Sequence, residues 1–590
     1  MTTLASPPRQ GAAARASVAE RAPRRPLSPE RIAAGLTLLV ILGLAVTALQ
    51  GVEISIPNML ASWENAERFF ARVGGLEFPP ADELWSLIWL TLGLVFTGTL
   101  LAAVISVPIA YLAAHNTTPG SGWRAAARFV GVLTRALPDV VLAMVFVLMF
   151  SLGALPGILA IGIHSIGMIS KMFADAIEQI DEGPRLAIRA AGGTRLQEFA
   201  SGILPQVMPS WVATVLHRGD INLRGSVVLG YVGVAGLGLE MSYAFKSLNY
   251  ALGLGIAVVI FVLCVVMEII SSLVRAAMLG ETGRGRPGRP RDLWADRLLR
   301  RRGRRDRRSA PQPAPAVEHS VPAWAASPST AVRRPWTPTR ARNVAAGWVA
   351  AALIVAGVWV CDITWSDVLT VWGKIPAVAV QFWPPTFGVY GAERMVGAMI
   401  ETIAIALAAT LLTLLPSMVI GSFAARNVAP NGGARGLARF LLVGIRGVPE
   451  IILAIVLIVI TGLGTQAGVI ALAFGSIGLL GKLVADSLEE VDNGPERALI
   501  AAGATRLQVY AGATFPQGTR ALLGHGFYVL DTNVRAATIL GVVGGGGIGY
   551  YLLNASQGSN YGLVTAIVLM ILVTVLVIEG IAMWMRKVFR

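Results

Sequence analysis

The chain has 590 residues, of which 55% are hydrophobic and only 14% charged, with a mean hydropathy of +0.65. Soluble domains average about 25% charged residues, so this balance excludes a single soluble globular chain and asks for bilayer-spanning segments. The formal charge of +15 is localised: from Arg284 to Arg342 there are 16 arginines and no lysine against Asp292, Asp296, Asp306 and Glu318, and the rest of the chain is nearly balanced. No fold motif or aromatic interleaving accompanies that charge, which argues against a nucleic-acid partner. Two cysteines, Cys264 and Cys361, lie in or at the end of apolar runs, and the five histidines share no ligand spacing. Neither a disulfide framework nor a metal site is expected.

In chain order, residues 1–31 form a basic tail, and Ile32–Leu49 is an apolar run. That run is long for a signal sequence, and Gln50-Gly51-Val52-Glu53 offers no small-residue cleavage site, so it reads as a retained first span. About 20 apolar residues cross the hydrocarbon core. This places spans near 32–49, 85–112, 129–151, 157–177, 206–230 and 251–276, and again near 344–361, 396–422, 440–462, 467–488, 517–541 and 562–585, twelve in all. The fifth span is interrupted by His217, Arg218, Asp220, Asn222 and Arg224, so it cannot face lipid along its whole length. The basic tail, the Arg-rich segment and the closing Arg586, Lys587 and Arg590 are expected in the cytoplasm, and the acidic stretch from Gln50 to Leu84 outside. Trp85, Trp89, Trp365, Trp372 and Trp383 read as interfacial anchors. The Arg- and Pro-rich segment lacks the apolar content for a core and reads as a tether that anionic lipid could hold.

An internal repeat organises the rest. Arg135-Ala-Leu-Pro138-Asp139 recurs as Arg446-Gly-Val-Pro449-Glu450, an offset of 311 residues. The same offset carries Ala113-Ala-His-Asn116 onto Ala424-Ala-Arg-Asn427, Lys171 and Asp175 onto Lys482 and Asp486, and Asn222-Leu-Arg224 onto Asn533-Val-Arg535. The chain divides into a tail (1–31), a first membrane domain (32–278), a linker (279–343) and a second membrane domain (344–590). The fold class is all-α and polytopic, with two repeated six-helix domains.

Between the fourth and fifth spans each copy has a polar, helix-compatible stretch: Gly183 to Arg195 with Ala187, Ala190, Ala191 and Gly192, then Pro205; and Gly494 to Arg506 with Ala498, Ala501, Ala502 and Gly503, then Pro516. These stretches resemble the EAA loop of ABC-importer permeases, and a helical hairpin punctuated by Gly and Pro is the alternative. Arg135-x-x-Pro138-Asp139, Arg446-x-x-Pro449-Glu450, Asn533-Val-Arg535 and Gly544-Gly-Gly-Gly-Ile-Gly549 are similar to elements of phosphonate-type permeases, as are Pro79-Pro80 and Pro384-Pro385. The resemblance implies two fused type I importer permease domains in a bacterial inner membrane. It also implies two ATP-binding cassette subunits docked at the loops and an external phosphonate- or phosphate-type binding protein. ATP and Mg would belong to those partners, since this chain has no Walker A run and needs no cofactor of its own. The acid of the loop element is replaced here by Leu186 and Arg497, and Gly233-Val-Ala-Gly236-Leu-Gly238 is poorer in glycine than its twin.

Ionisable groups within spans are costly and are functional candidates. Arg135, Asp139, Asn222, Arg224, Arg446, Glu450, Asn533 and Arg535 are the expected transport pathway, with arginines suited to phosphorus oxyanions. The competing reading is structural: Arg135/Asp139, Lys171/Asp175, Asp220/Arg224 and their twins are spaced i, i+4 and would neutralise one another on one helix face. Gly233, Gly236, Gly544, Gly547 and Gly549 are expected at an outer gate or, equally, at a helix-packing turn. His164 and His217 have no counterpart in the second copy and read as packing residues. A six-plus-six secondary transporter driven by an ion gradient is the rival function.

Overall fold

The computed structural model describes residues 29–52, 63–282, 338–462 and 464–588. Most of the basic tail and most of the linker lie outside the described residues. The first half runs α1 (Pro29–Gly51), α2 (Trp63–Val73), α3 (Ala81–Ala113), α4 (Ser121–Ala136), α5 (Asp139–Phe150), α6 (Ala154–Glu178), α7 (Glu182–Ala190), α8 (Leu204–Tyr231), α9 (Leu237–Lys246) and α10 (Tyr250–Thr282). The second half repeats the order as α11 (Pro338–Val360), α12 (Trp365–Phe382), α13 (Gly391–Ala424), α14 (Gly432–Gly447), α15 (Glu450–Thr461), α16 (Thr465–Glu489), α17 (Asn493–Ala501), α18 (Phe515–Val542), α19 (Ile548–Gln557) and α20 (Tyr561–Val588).

The third span of each copy departs from the expected straight helix. Proline has no N–H to continue the ladder and pushes the residue before it into extended backbone. Leu137 and Val448 accordingly take ψ of 122° and 117°. The chain then turns by 82° between α4 and α5 and by 76° between α14 and α15. At 12 residues each, α5 and α15 are too short to cross a bilayer alone. Among the described residues eight helices qualify as spans by length and composition, or ten if each bent pair counts as one; twelve were expected from the whole sequence. Among the positions outside that count is α18, whose Arg520, His525, Asp531 and Arg535 dilute its apolar character.

Within each half the main contact joins the second span to the fourth, α3 to α6 and α13 to α16. Between halves the first helices are exchanged: α1 lies along α13, and α11 lies along α3. The short helices follow, α2 touching α15 and α12 touching α5. Small residues permit the close crossing that membrane helices use in place of a hydrophobic drive. A Cβ on Gly93 would stand 3.0 Å from the Gly357 carbonyl and 3.3 Å from Cys361 Sγ, which makes that cysteine a buried packing residue. One continuous apolar core therefore runs through both halves, from Leu94 and Ile161 to Leu472 and Ile567.

Candidate functional site

The prolines that break the third spans also expose the last carbonyls of α4 and α14, which have no partner within their own helices. Arg535 Nη1 crosses from α18 to donate to the Arg135 carbonyl at 3.1 Å, and Arg224 Nη1 crosses from α8 to the Arg446 carbonyl at 2.8 Å. One turn back, Asp531 holds Arg535 at 2.6 Å and Asp220 pairs with Arg224, so these two i, i+4 pairs form as expected.

Two more of the six expected pairs, Arg135/Asp139 and Arg446/Glu450, do not form, because the bend puts their members on separate helices. Arg446 instead reaches Glu268 on α10 at 3.1 Å, with Asp220 at 3.7 Å, and Arg135 pairs with Glu579 on α20. Both of these ion pairs join opposite halves. Glu268 and Glu579 are separated by the repeat offset, which was the one signal in the sequence that could have found them. Asp139 accepts the Val140 N–H at 3.0 Å, and Glu450 lies against Gly475, where a Cβ would come within 2.3 Å of its Cγ. The first copy has His164 at that position, its ring bonded to the Leu137 carbonyl at 2.9 Å. The lone histidine and the longer acid are thus alternative fillings of one space. Lys171 and Asp175 are exposed and form no ion pair with each other.

Behind the arginines lies a buried amide network. Asn222 donates to Thr99 Oγ1 at 2.9 Å and to Ser165 Oγ at 3.1 Å; Asn533 donates to Thr410 Oγ1 at 2.9 Å and accepts from Ser476 at 2.7 Å. A satisfied network of this kind fixes the rotation of α8 and α18 against the second and fourth spans.

The glycine-rich turns follow α8 and α18. Gly233, Gly236, Gly544 and Gly547 all have φ between +77° and +133°, a region L side chains rarely occupy. A Cβ on Gly549 would sit 1.9 Å from the Thr538 carbonyl. The turns are locked on the second spans, since Thr91 Oγ1 accepts the Leu237 N–H at 3.0 Å and Thr402 Oγ1 that of Ile548 at 2.8 Å.

At the other end, α7 and α17 are capped by Asp181 and Asp492, stop at Gly192 (φ +80°) and Gly503 (φ +81°), and are followed by capping boxes at Thr194 and Thr505. Ala187, Ala190, Ala191, Gly192, Pro205, Ala498, Ala501, Ala502, Gly503 and Pro516 are all exposed. Beside them Leu196 and Leu507, also related by the offset, are 75% and 77% exposed. Each loop is clamped to its own bundle: Asn116 and Asn427 donate to the Ile177 and Leu488 carbonyls, both at 2.8 Å. Glu178 and Glu489 bind Arg128 at 3.3 Å and Arg439 at 3.0 Å.

The buried loop carboxylate stands at Glu496, one residue before Arg497, where it accepts from Asn427 at 2.9 Å and Thr514 at 2.6 Å. In the first copy Arg185 takes that place between Glu182 and Glu198. Reading the acid as replaced at Leu186 and Arg497 missed these groups.

Two repeated helical bundles, exchanged first helices, an ionic interface between halves and twin exposed loops define a fused, pseudo-symmetric membrane permease. Residues 106–279 and 417–590 each match the family described as binding-protein-dependent transport system inner membrane component, and the chain belongs to that family. This sets aside the secondary-transporter alternative. The chain is 38% identical over 84% of its length, and 84% of the relative's, to the phosphate-import permease protein PhnE of Mycolicibacterium smegmatis. It is 37% identical over 31% of its length to the phosphite transport system permease protein PtxC of Stutzerimonas stutzeri, covering 67% of that protein.

Proposed function

We propose that the chain is the transmembrane subunit of an ATP-driven importer for phosphorus oxyanions: phosphonate, phosphite or phosphate. The names of its relatives support the cargo class, and the arginines at the interface between halves suit it chemically. The path would run between the halves, past Arg135, Arg224, Arg446 and Arg535 with Asp139, Glu450, Asn222 and Asn533. The carboxylates paired with these arginines would temper anion binding so that release stays fast. Gly233, Gly236, Gly544, Gly547 and Gly549 would close the outer end.

The observation that carries the coupling role is the pair of matched exposed surfaces around Gly192 with Leu196 and Gly503 with Leu507. Exposed apolar side chains beside small residues, twice at the same register, fit two copies of one partner. Each surface would seat one ATP-binding cassette subunit in the cytoplasm, where both termini and the linker would also lie. An external binding protein would deliver the anion to the opposite face, and ATP and Mg would be held by the partners.

Leu196→Glu with Leu507→Glu tests this. The double variant should insert normally, since both side chains point away from the bundle, but should lose its ATPase subunits on copurification and lose ATP-dependent uptake. Retention of both would remove the docking role.

A further inference from the structure

The two halves differ at a place where they should match if the interface were only a scaffold. Residues 218–220 are Arg-Gly-Asp, and their counterparts 529–531 are Val-Leu-Asp. In the second half Val529 is wholly buried and Leu530 nearly so, which makes a dry apolar contact. In the first half Arg218 is only 8% exposed, and a Cβ on the buried Gly219 would find nothing within 4 Å beyond its chain neighbours. One half thus carries an extra buried cation beside open space, and the other fills the place with hydrocarbon.

The environment of Arg218 is not that of a structural ion pair. Its one hydrogen bond among the described residues runs from Nε to Ser165 Oγ at 3.0 Å, which leaves both Nη groups without a partner. Ser165 is itself fixed by Asn222, and Asn222 by Thr99. The network holds the base of the guanidinium and leaves its fork without a protein partner among the described residues. Asp139 of the first half and Arg535 and the neutral Tyr528 phenol of the second lie near it, so the group lies where the halves meet. An unpaired buried charge in a membrane helix is costly to keep, and a guanidinium fork matches two oxygens of a tetrahedral anion.

We propose that Arg218, positioned by Ser165, Asn222 and Thr99, is a single asymmetric binding station for a phosphorus oxyanion on the transport path, present in the first half and absent from the second. The proposal rests on the importer reading above and adds that the path is one-sided. The cargo is held once, by the first half, rather than handed between two equal sites.

The test uses the full complex with its ATPase subunits and binding protein in proteoliposomes, with phosphate, phosphite and methylphosphonate as probes. Arg218→Val, which copies the second half, should lower uptake roughly tenfold or more, the scale of a lost hydrogen bond to a charged group. Its melting temperature should hold or rise, because a lone buried charge has been removed. Arg218→Lys should recover part of the uptake. A melting temperature that falls in Arg218→Val and is restored by adding Asp139→Asn would make Arg218 a structural partner of that acid and overturn the proposal. Unchanged uptake in Arg218→Val would overturn it too. If the unaltered complex carries none of the three probes, the importer reading for phosphorus oxyanions fails instead, so the two failures are distinguishable.

Discussion

At the scale of single residues, the account turns on which acid neutralises which arginine. Spacing in the sequence points Arg135 to Asp139 and Arg446 to Glu450, an inference valid only on an unbroken helix. Pro138 and Pro449 break it, and the arginines turn to Glu579 and Glu268 across the interface. Removing one member of a mostly buried pair leaves an uncompensated charge at a cost of about 3–5 kcal/mol, whereas removing both is far milder. Glu579→Gln should therefore destabilise the detergent-solubilised protein clearly, and Arg135→Gln with Glu579→Gln should regain most of the loss. Asp139→Asn should not substitute for Glu579→Gln in that rescue. Thermal unfolding of the four variants checks it, and rescue of Arg135→Gln by Asp139→Asn would restore the local pair. Glu268 and Glu579 were legible only through the repeat register, because a single acid in an apolar run carries no sign of its partner.

At the scale of elements, most helices were legible because a run of about 20 apolar residues has few other fates. The loop helices were legible too, since Gly192 and Gly503 end them with the left-handed residue that a C-terminal cap favours. Gly192→Ala and Gly503→Ala put a Cβ into open space but force it to a φ near +80°. Each should cost about 1 kcal/mol, the penalty for an L residue in that region, without blocking docking. A larger loss of ATPase association than of stability would show that the docked partner leaves no room for a methyl group at these positions. The exchange of α1 and α11 was not legible, because no local pattern says which neighbour a uniformly apolar helix will choose. It has a consequence for the split protein: chains cut near Ser320 and coexpressed should associate tightly, since each half holds the other's first helix. Omitting 1–52 from the first chain should weaken that association more than deleting linker residues, as read by copurification of the two halves.

At the scale of the whole molecule, the repeat makes two bundles that share a fold and differ in chemistry, with His164 and Arg218 on one side and Glu450, Gly475 and Val529 on the other. The linker composition cannot build a core, and the exchanged helices already bind the halves together, so we propose that the linker only keeps them in one chain. The central claim is that this permease moves phosphorus oxyanions inward on ATP hydrolysed by partners seated on its two loops. The most direct measurement is uptake of labelled phosphate and methylphosphonate into proteoliposomes holding the chain with its ATPase subunits and binding protein. ATP and an imposed proton or sodium gradient would be varied independently. The account predicts uptake that needs ATP, the ATPase subunits and the binding protein, and is indifferent to either gradient. Uptake by the chain alone, driven by a gradient without ATP, would contradict it.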